Sequence, residues 1–147
     1  MAAIDYWNIE TTIRDTIATG IGSASNVYVT AEVVQPMDTS RPWVAVYLKN
    51  RTAPAEQPIA KGTRQRYSVE FSIWCWVWTL NKPEVAAEAR DDLIGTVESI
   101  LMGNRKMSDT IENGTIHGGE FGTAEHPKTG TLLGGEIIFR ADVTATI

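Results

Sequence analysis

The stretch from Arg66 to Thr79 constrains the fold most, because it reads as one strand whose two faces differ. The odd-numbered positions are apolar throughout, as expected for a strand face against a core: Tyr67, Val69, Phe71, Ile73, Cys75 and Val77. The even-numbered face is polar at first and then presents Trp74, Trp76 and Trp78. Together these tryptophans offer roughly 600 Å² of surface, about the largest apolar patch that a soluble monomer leaves open. The sequence therefore predicts that a helix of the same chain or a neighbouring subunit covers them.

The composition is that of an ordinary globular domain. The chain has 147 residues, of which 43% are hydrophobic and 21% charged, so we expect one domain over residues 1–147. The net charge of −5 argues against a dedicated DNA-binding domain. No apolar stretch reaches the length of a membrane span, and the first residues lack the basic and apolar segments of a signal peptide. We therefore expect no membrane association.

The order of the predicted elements indicates an α+β fold. Apolar residues at helical spacing predict one helix over residues 6–19, capped by Asp5 and stopped by Gly20, and a second helix from Pro83 to Gly103. Strands are predicted near residues 27–30, 43–49, 66–79, 110–117 and 133–147. Such an order favours a mostly antiparallel sheet of four to five strands with both helices packed on one face.

The residues that could carry chemistry do not form a recognisable site. His117 and His126 are nine residues apart, whereas a metal site needs ligands at closer spacing and a second cluster. Cys75 lies within an apolar strand, where a thiol acts as a small hydrophobe and not as a nucleophile. We therefore predict no catalytic residues, no metal and no cofactor, and hence no enzyme.

Residues 50–64 are expected to form a long loop between the second and third strands, and loops of this length are often functional. Basic residues bracket or lie within this loop: Lys49, Arg51, Lys61, Arg64 and Arg66. These charges suit a solvated loop, and they also suit a contact arm toward phosphate or an acidic partner.

Two further surfaces are contact candidates. On the second helix, Glu84, Glu88 and Asp91 predict an acidic outer face that is complementary in charge to the basic loop. On the first helix, Trp7 lies roughly 100° from the apolar stripe, so it is expected to pack sideways or to meet a neighbour.

The chain resembles the tail terminator (tail completion) proteins of long-tailed bacteriophages. The resemblance covers nearly the whole chain and lies in its length, element order and pattern. It comprises a short N-terminal helix, a strand over residues 44–48, a long basic-flanked loop, a strand Tyr67-Ser-Val-Glu-Phe-Ser-Ile-Trp leading into Thr79-Leu-Asn-Lys, a helix over residues 86–101 and a final strand. The family has no invariant catalytic or ligand motif.

The resemblance implies a structural virion protein that is assembled in the bacterial host cytoplasm and forms a homo-hexameric ring. Such a ring caps the tail tube, ends its polymerisation and joins it to the head connector, while DNA passes through the centre without sequence recognition. Residues 50–64 would order on assembly, and Trp74, Trp76 and Trp78 would contact a helix or a neighbouring subunit. A head–tail adaptor, a tail tube protein, or a small ligand-binding or enzymatic α+β domain with a pocket beneath the loop are the alternatives.

Overall fold

The computed structural model describes residues 3–22, 26–33, 41–53, 64–79, 82–126 and 130–146, and of Arg64, Pro83, Thr146 and residues 124–126 it describes the backbone alone. The elements in these ranges are α1 (Tyr6–Ile21), β1 (Tyr28–Ala31), β2 (Trp43–Thr52), β3 (Arg64–Thr79), α2 (Pro83–Gly103), β4 (Asn113–Ile116), β5 (Phe121–His126) and β6 (Gly130–Thr146). The predicted α+β class is confirmed.

The described strands form one sheet of six strands, so the expected number of four to five was wrong. The additional strand is β5, which lies between the predicted strands at residues 110–117 and 133–147. Gly118 and Gly119 have φ values of 77° and 154° and redirect the chain after β4, so that β5 pairs with the same strand, β6, further along. The glycine pair, which in the sequence indicates the end of one strand, thus joins two strands that both pair with β6.

The strand order is β1-β2-β3-β6-β4, with β5 also paired to β6. The β1–β2 pair is parallel and the other pairs are antiparallel. β3 and β6 pair along their full lengths, from Arg64 opposite Thr146 to Thr79 opposite Thr131. At about 3.3 Å per residue, the 16 residues of β3 span roughly 50 Å, so this pair is the long axis of the sheet.

The predicted loop over residues 50–64 was wrong at both ends. Asn50, Arg51 and Thr52 continue β2 and pair with Glu70, Val69 and Ser68, and Arg64 already belongs to β3. A register shift between Leu48 and Asn50 marks a β-bulge that leaves Lys49 outside the regular pairing. The extension of β2 contains no apolar residue, so no strand pattern marks it in the sequence; residues 54–63 lie outside the described residues.

Gly20 does not end α1, contrary to expectation. The helix continues to Ile21, and Gly22, with φ of 85°, follows it as the C-cap. A Cβ atom at position 20 would lie 2.7 Å from the side chain of Ile100, so Gly20 allows α1 and α2 to approach closely. At the other end, the predicted N-cap is confirmed, since Asp5 accepts a hydrogen bond of 3.0 Å from the Asn8 backbone amide.

The fourth strand is shorter than the predicted residues 110–117. Met107, Ser108 and Asp109 all have positive φ values, between 47° and 63°, and form a left-handed turn after α2. This turn delays the start of β4 until Asn113. The final strand, in contrast, begins earlier than predicted, at Gly130 instead of Leu133.

One hydrophobic core joins both helices to one face of the sheet. It contains Ile9, Ile13 and Ile17 of α1, Ala86, Leu93, Val97 and Leu101 of α2, and the strand residues Val44, Val46, Val69, Phe71, Ile73, Cys75, Val77, Ile137, Phe139, Ala141 and Val143. The odd-numbered face of β3 thus lies in the core. Because successive side chains of a strand point to opposite faces, the tryptophans of β3 lie on the face away from this core.

Candidate assembly surfaces

The tryptophan surface, defined by Trp74, Trp76 and Trp78, is partly buried by the sheet itself. The rings of Trp74 and Trp76 stack with centroids 5.1 Å apart and planes 14° from parallel. Gly134 on the neighbouring strand β6 leaves room for Trp76, because a Cβ atom there would lie 2.5 Å from its ring, and Gly122 on β5 lies in van der Waals reach of Trp74, with a Cβ–ring distance of 3.5 Å. The tryptophans therefore cover a glycine-lined part of the sheet, and their outer sides remain accessible.

The aromatic face continues onto β2. Trp43 stands opposite Trp76 in the strand pairing and is only 3% exposed. Its indole N–H donates a hydrogen bond of 2.8 Å to the hydroxyl of Thr30 on β1. Tyr47, on the same face, donates its hydroxyl to the carbonyl oxygen of Val33. The polar atoms of the buried Trp43 and the half-buried Tyr47 thus have hydrogen-bond partners, and the aromatic face spans more than one strand.

The polar half of the same face is held by pairs between β3 and β6. The hydroxyl of Ser72 donates to the carboxylate of Glu136, and the guanidinium of Arg140 lies 3.0 Å from the carboxylate of Glu70. The change from polar to aromatic residues along β3 therefore corresponds to two zones of one sheet face, one ionic and one aromatic.

Trp78 forms the end of the tryptophan surface next to α2. Its indole nitrogen is buried and has no hydrogen-bond partner among the described residues. Beside it lies an open groove of about 350 Å³ whose lining includes Val77, Val85 and Ala89. Val85 is 61% exposed, so the apolar surface extends from the sheet onto the beginning of α2.

Trp7 is 58% exposed on α1. Its position off the apolar stripe agrees with this exposure, because the stripe residues Ile9, Ile13 and Ile17 are buried. Whether Trp7 meets a neighbour is not tested by the structure of one chain, so its contact role stays a prediction.

The basic residues gather where β2 ends and β3 begins. Lys49, Arg51 and Arg66 are exposed, and we call these three residues the basic end. The Arg51 guanidinium donates a hydrogen bond of 3.0 Å to the Tyr6 hydroxyl, and Arg66 lies 3.9 Å from the carboxylate of Glu112.

The two other predicted basic residues are described only in part. Arg64 begins β3, but its side chain is outside the described structure, as is the whole of Lys61. Their contact role stays a prediction.

The acidic face of α2, formed by Glu84, Glu88 and Asp91, is exposed. Asp91 accepts a hydrogen bond of 3.0 Å from its neighbour Arg90. α2 begins shortly after the end of β3 at Thr79, whereas Arg51 pairs with Val69 and Arg66 lies three residues further from that end. About 9 to 13 residues of extended strand, roughly 30–40 Å, therefore separate the basic end from the beginning of α2.

The described residues offer little for catalysis. Burial, together with the charge of Glu98, raises the pKa of the Cys75 thiol to about 12, so the thiol is protonated at neutral pH. The Nε2 atom of His117 lies 2.7 Å from the Thr115 hydroxyl on an exposed surface; the His126 side chain is not described. No group of three or more His, Cys, Asp or Glu residues in the described ranges could hold a metal ion.

A cavity of about 230 Å³ lies beside the end of β2. It lies close to the predicted loop, beneath which the alternative ligand-binding or enzymatic domain would have its pocket. Its lining includes Arg66, Ser68 and Asp142. The Ser68 hydroxyl is buried without a hydrogen-bond partner in the described part of the chain. The lining supplies neither histidine nor cysteine, so a nucleophile with an adjacent base is not assembled there. The prediction of no enzymatic activity stays a prediction.

One exposed aromatic residue was missed in the sequence. Phe121 begins β5, is 67% exposed, and has the Arg90 guanidinium 4.8 Å from its ring centroid. Its exposure could have been expected from its sequence neighbours, because a phenylalanine between Gly118-Gly119-Glu120 and Gly122 belongs to no apolar stripe.

Neither α1 nor α2, the helices of the described ranges, is long and apolar enough to cross a membrane.

Comparisons with known proteins give a likeness of fold and no match of sequence. No family model matches the chain, and none of the curated proteins matches it. Among solved structures, the chain is similar to the sheath/tube terminator of PVC, an extracellular contractile injection system, in its extended state, with a TM-score of 0.52 and 10% sequence identity. That likeness covers 100% of this chain and 58% of the other, so the chain spans less than two thirds of its length.

A second similar structure comes from the virion of a native gene transfer agent particle. Here the TM-score is 0.44 at 13% identity, over 93% of this chain and 95% of the other. At such identities the likeness concerns the fold alone. The chain thus shares, over its whole length, the fold of a protein from the terminator of a contractile injection system.

Proposed function

We propose that this protein is a structural component of a phage-type tail that forms a ring on the end of the tail tube. The ring ends tube polymerisation and joins the tube to the head connector, and DNA passes through it without sequence recognition. Its partners are five further copies of the chain, the tube protein and the connector. The proposal is supported by the resemblance in element order and by the fold shared with a sheath/tube terminator over the whole chain.

The observation that carries the assembly part of the proposal is the separation of opposite charges. A ring needs a heterologous interface, in which two different patches of neighbouring subunits meet. The basic end lies roughly 30–40 Å along β3 from the beginning of α2, where Glu84 starts the acidic face, and no ion pair joins the two among the described residues. In a ring, the basic end of one subunit can contact the acidic face of its neighbour, and this charge complementarity favours that orientation of the two subunits over others.

The tryptophan surface supplies the apolar part of the proposed contact. Both helices contribute to the core on the opposite side of the sheet, so they leave this surface to another molecule. Tryptophan is enriched among the residues that dominate binding energies at protein interfaces. We place the contact of Trp74, Trp76 and Trp78 with a neighbouring subunit or with the tube protein.

Electron microscopy and light scattering of the purified protein, with and without tail tubes, test the proposal. We expect hexameric rings at tube ends, and tubes that stop growing once the protein is added. A protein that extends the tubes would instead be a tube protein, and one that binds connectors but not tubes would be an adaptor. A strictly monomeric protein that never binds tubes contradicts the proposal.

Charge reversal tests the interface itself. The variant Glu84→Lys/Glu88→Lys and the variant Lys49→Glu/Arg66→Glu should each weaken ring formation by about tenfold or more, because like charges would then face each other. Combining the four substitutions should restore assembly. Asp15→Lys/Glu120→Lys is the control, since these carboxylates are exposed outside both surfaces. If the combined variant assembles no better than either parent, the two charged surfaces are not partners.

A further inference from the structure

Arg51 is an exposed cation near the end of β2 whose side chain rests on two tyrosines. Its Cζ atom lies 5.6 Å from the ring centroid of Tyr6 and 6.0 Å from that of Tyr67. Its guanidinium donates the hydrogen bond of 3.0 Å to the Tyr6 hydroxyl. Among the described residues it has no ion-pair partner, so its position is restrained while its charge is not neutralised.

The β-bulge of β2 decides on which side of the sheet Arg51 lies. After the register shift Arg51 stands opposite Val69, a residue of the core. If the regular pairing continued, it would stand opposite Ser68 and point to the other face, because a shift by one residue reverses the face. The extra residue, Lys49, thus turns Arg51 toward the helix-covered face of the sheet, where Tyr67 is its diagonal neighbour.

The start of α1 brings Tyr6 to the same place. Tyr6 is the first residue of the helix, and the preceding Asp5 caps the helix through its hydrogen bond from the Asn8 amide. Both Tyr6 and Tyr67 pack against the hydrophobic core. Three elements, α1, β2 and β3, therefore converge on the guanidinium of Arg51.

A guanidinium held in this way suits the recognition of a carboxylate. Arginine carries five N–H donors in one plane and can form two parallel hydrogen bonds with a carboxylate. One donor of Arg51 is used by the Tyr6 hydroxyl, and the side chain is exposed. Because the tyrosines restrict the side chain before a partner binds, less conformational entropy is lost on binding.

The two other residues of the basic end are less suited to this role. Arg66 lies 3.9 Å from the carboxylate of Glu112 and belongs to the even-numbered face of β3, away from the helices. Lys49 carries a compact ammonium, which cannot form the paired hydrogen bonds of a guanidinium. Arg51 is thus the arginine of the basic end on the helix-covered side.

The acidic face of α2 lies on the same side of the sheet and holds an excess of negative charge. Glu88 has Glu84, Asp91 and Asp92 at four residues before and three and four residues after it, and like charges at these spacings destabilise a helix. Asp91 is paired with Arg90, and Glu84 lies in the first turn, where the helix dipole favours a negative charge. Glu88 has neither compensation, and no ion pair of it occurs in the described part of the chain.

We propose that Arg51 anchors the contact between neighbouring subunits, and that its guanidinium binds the Glu88 carboxylate of the next subunit through two parallel hydrogen bonds. Tyr6 and Tyr67 are positioning residues that hold the guanidinium in place. This inference rests on the proposed ring, and it names the residue pair through which the two charged surfaces recognise each other.

Ring assembly of the whole chain, followed by light scattering over a range of protein concentrations, tests the pair. Arg51→Ala and Glu88→Gln should each weaken association by about tenfold or more, because each leaves a charge without its partner. The double variant should be weaker than either single variant by no more than about twofold, since the two residues act together. Exchanging the charges in Arg51→Glu/Glu88→Arg should restore assembly to within about threefold of the unmodified protein.

A matched control and a positioning variant sharpen the test. Arg41→Ala is the control, because Arg41 also stacks on a tyrosine, with its Cζ atom 3.7 Å from the Tyr28 ring centroid, but lies outside the basic end; assembly should not change. Tyr6→Phe keeps the ring and removes the hydroxyl, so it should weaken assembly by about threefold. Combined with Arg51→Ala it should have no further effect, which a merely structural role of Tyr6 would not produce.

The outcomes separate this inference from the proposed ring. If Arg51→Ala assembles as well as the unmodified protein, or if the effects of Arg51→Ala and Glu88→Gln add in the double variant, this inference is overturned and the ring is not. An unmodified protein that forms no rings overturns both. Should Arg51→Ala fail to fold, Arg51→Lys decides: assembly weakened by about threefold or more supports the pair, and unchanged assembly overturns it.

Discussion

The two faces of the sheet bury apolar residues in different ways. On the helix-covered face, Phe71 and Phe139 of β3 and β6 are fully buried under two helices. On the opposite face, Trp74 and Trp76 stack on each other over Gly122 and Gly134 and stay partly exposed. The first face is a core that folding alone completes, whereas the second leaves accessible aromatic surface after folding is complete.

The apolar residues on the two faces of one strand therefore contribute to different free energies, that of folding and that of assembly. Side chains packed by helices contribute to the stability of the single chain, because their surface is removed from water on folding. Partly exposed tryptophans retain area that only another molecule can bury. Substitutions on the two faces should therefore separate stability from assembly.

The largest effect is expected on the helix-covered face. Phe71→Ala should lower the free energy of unfolding by about 3–5 kcal/mol, because it removes a fully buried ring and leaves a cavity. Urea denaturation of the single chain, followed by circular dichroism, measures the change. A loss below about 1 kcal/mol would mean that this face is not a close-packed core.

A smaller effect is expected for Trp76→Ala. Removing a fully buried aromatic ring costs about 3–5 kcal/mol. Because Trp76 is only partly buried, we expect about 2 kcal/mol for folding, with the larger effect on binding to tail tubes.

Trp7→Ala is the matched control for Trp76→Ala, since Trp7 is 58% exposed and its removal should change stability by less than about 0.5 kcal/mol. If Trp76→Ala destabilises the single chain as much as Phe71→Ala does, the two faces do not differ and the tryptophan surface is a second core.

The smallest effect concerns the glycine beneath the tryptophans. Gly134→Ala should destabilise the chain by about 1 kcal/mol, because the new Cβ would lie 2.5 Å from the Trp76 ring and push it toward solvent. Gly95→Ala, in α2 with open space around it, should instead stabilise by about 0.5–1 kcal/mol through helix propensity. Thermal unfolding of both variants distinguishes them. A neutral Gly134→Ala would show that the ring does not rest on this glycine.

The elements with strong local signals were predictable. The alternation along β3 identified its core face, and the apolar stripe together with Asp5 located α1. Elements without such a signal were not. β5 was missed because the glycines at positions 118, 119 and 122 interrupt its pattern, and the extension of β2 was missed because Asn50, Arg51 and Thr52 are all polar.

The candidate surfaces were predictable in their residue types but not in their arrangement. Charged residues in stripes and loops are expected to be exposed, and Glu84, Glu88 and Arg66 are. Their distance from one another required the direction of β3 relative to α2. The burial of Glu10 was not predictable, since a glutamate on a helix is expected to be solvated, yet this residue is only 2% exposed.

By itself the sequence determined which side chains share a face, since the period of a strand or a helix is a local property of the backbone. It thereby required the odd-numbered face of β3 to be apolar and the tryptophans to lie together on the other. The tertiary structure alone decided that both helices would cover the odd-numbered face and that glycines from β5 and β6 would underlie the tryptophans. The physical reason is that strand register joins residues some 60 positions apart, such as Trp76 and Gly134, and local periodicity does not encode such pairing.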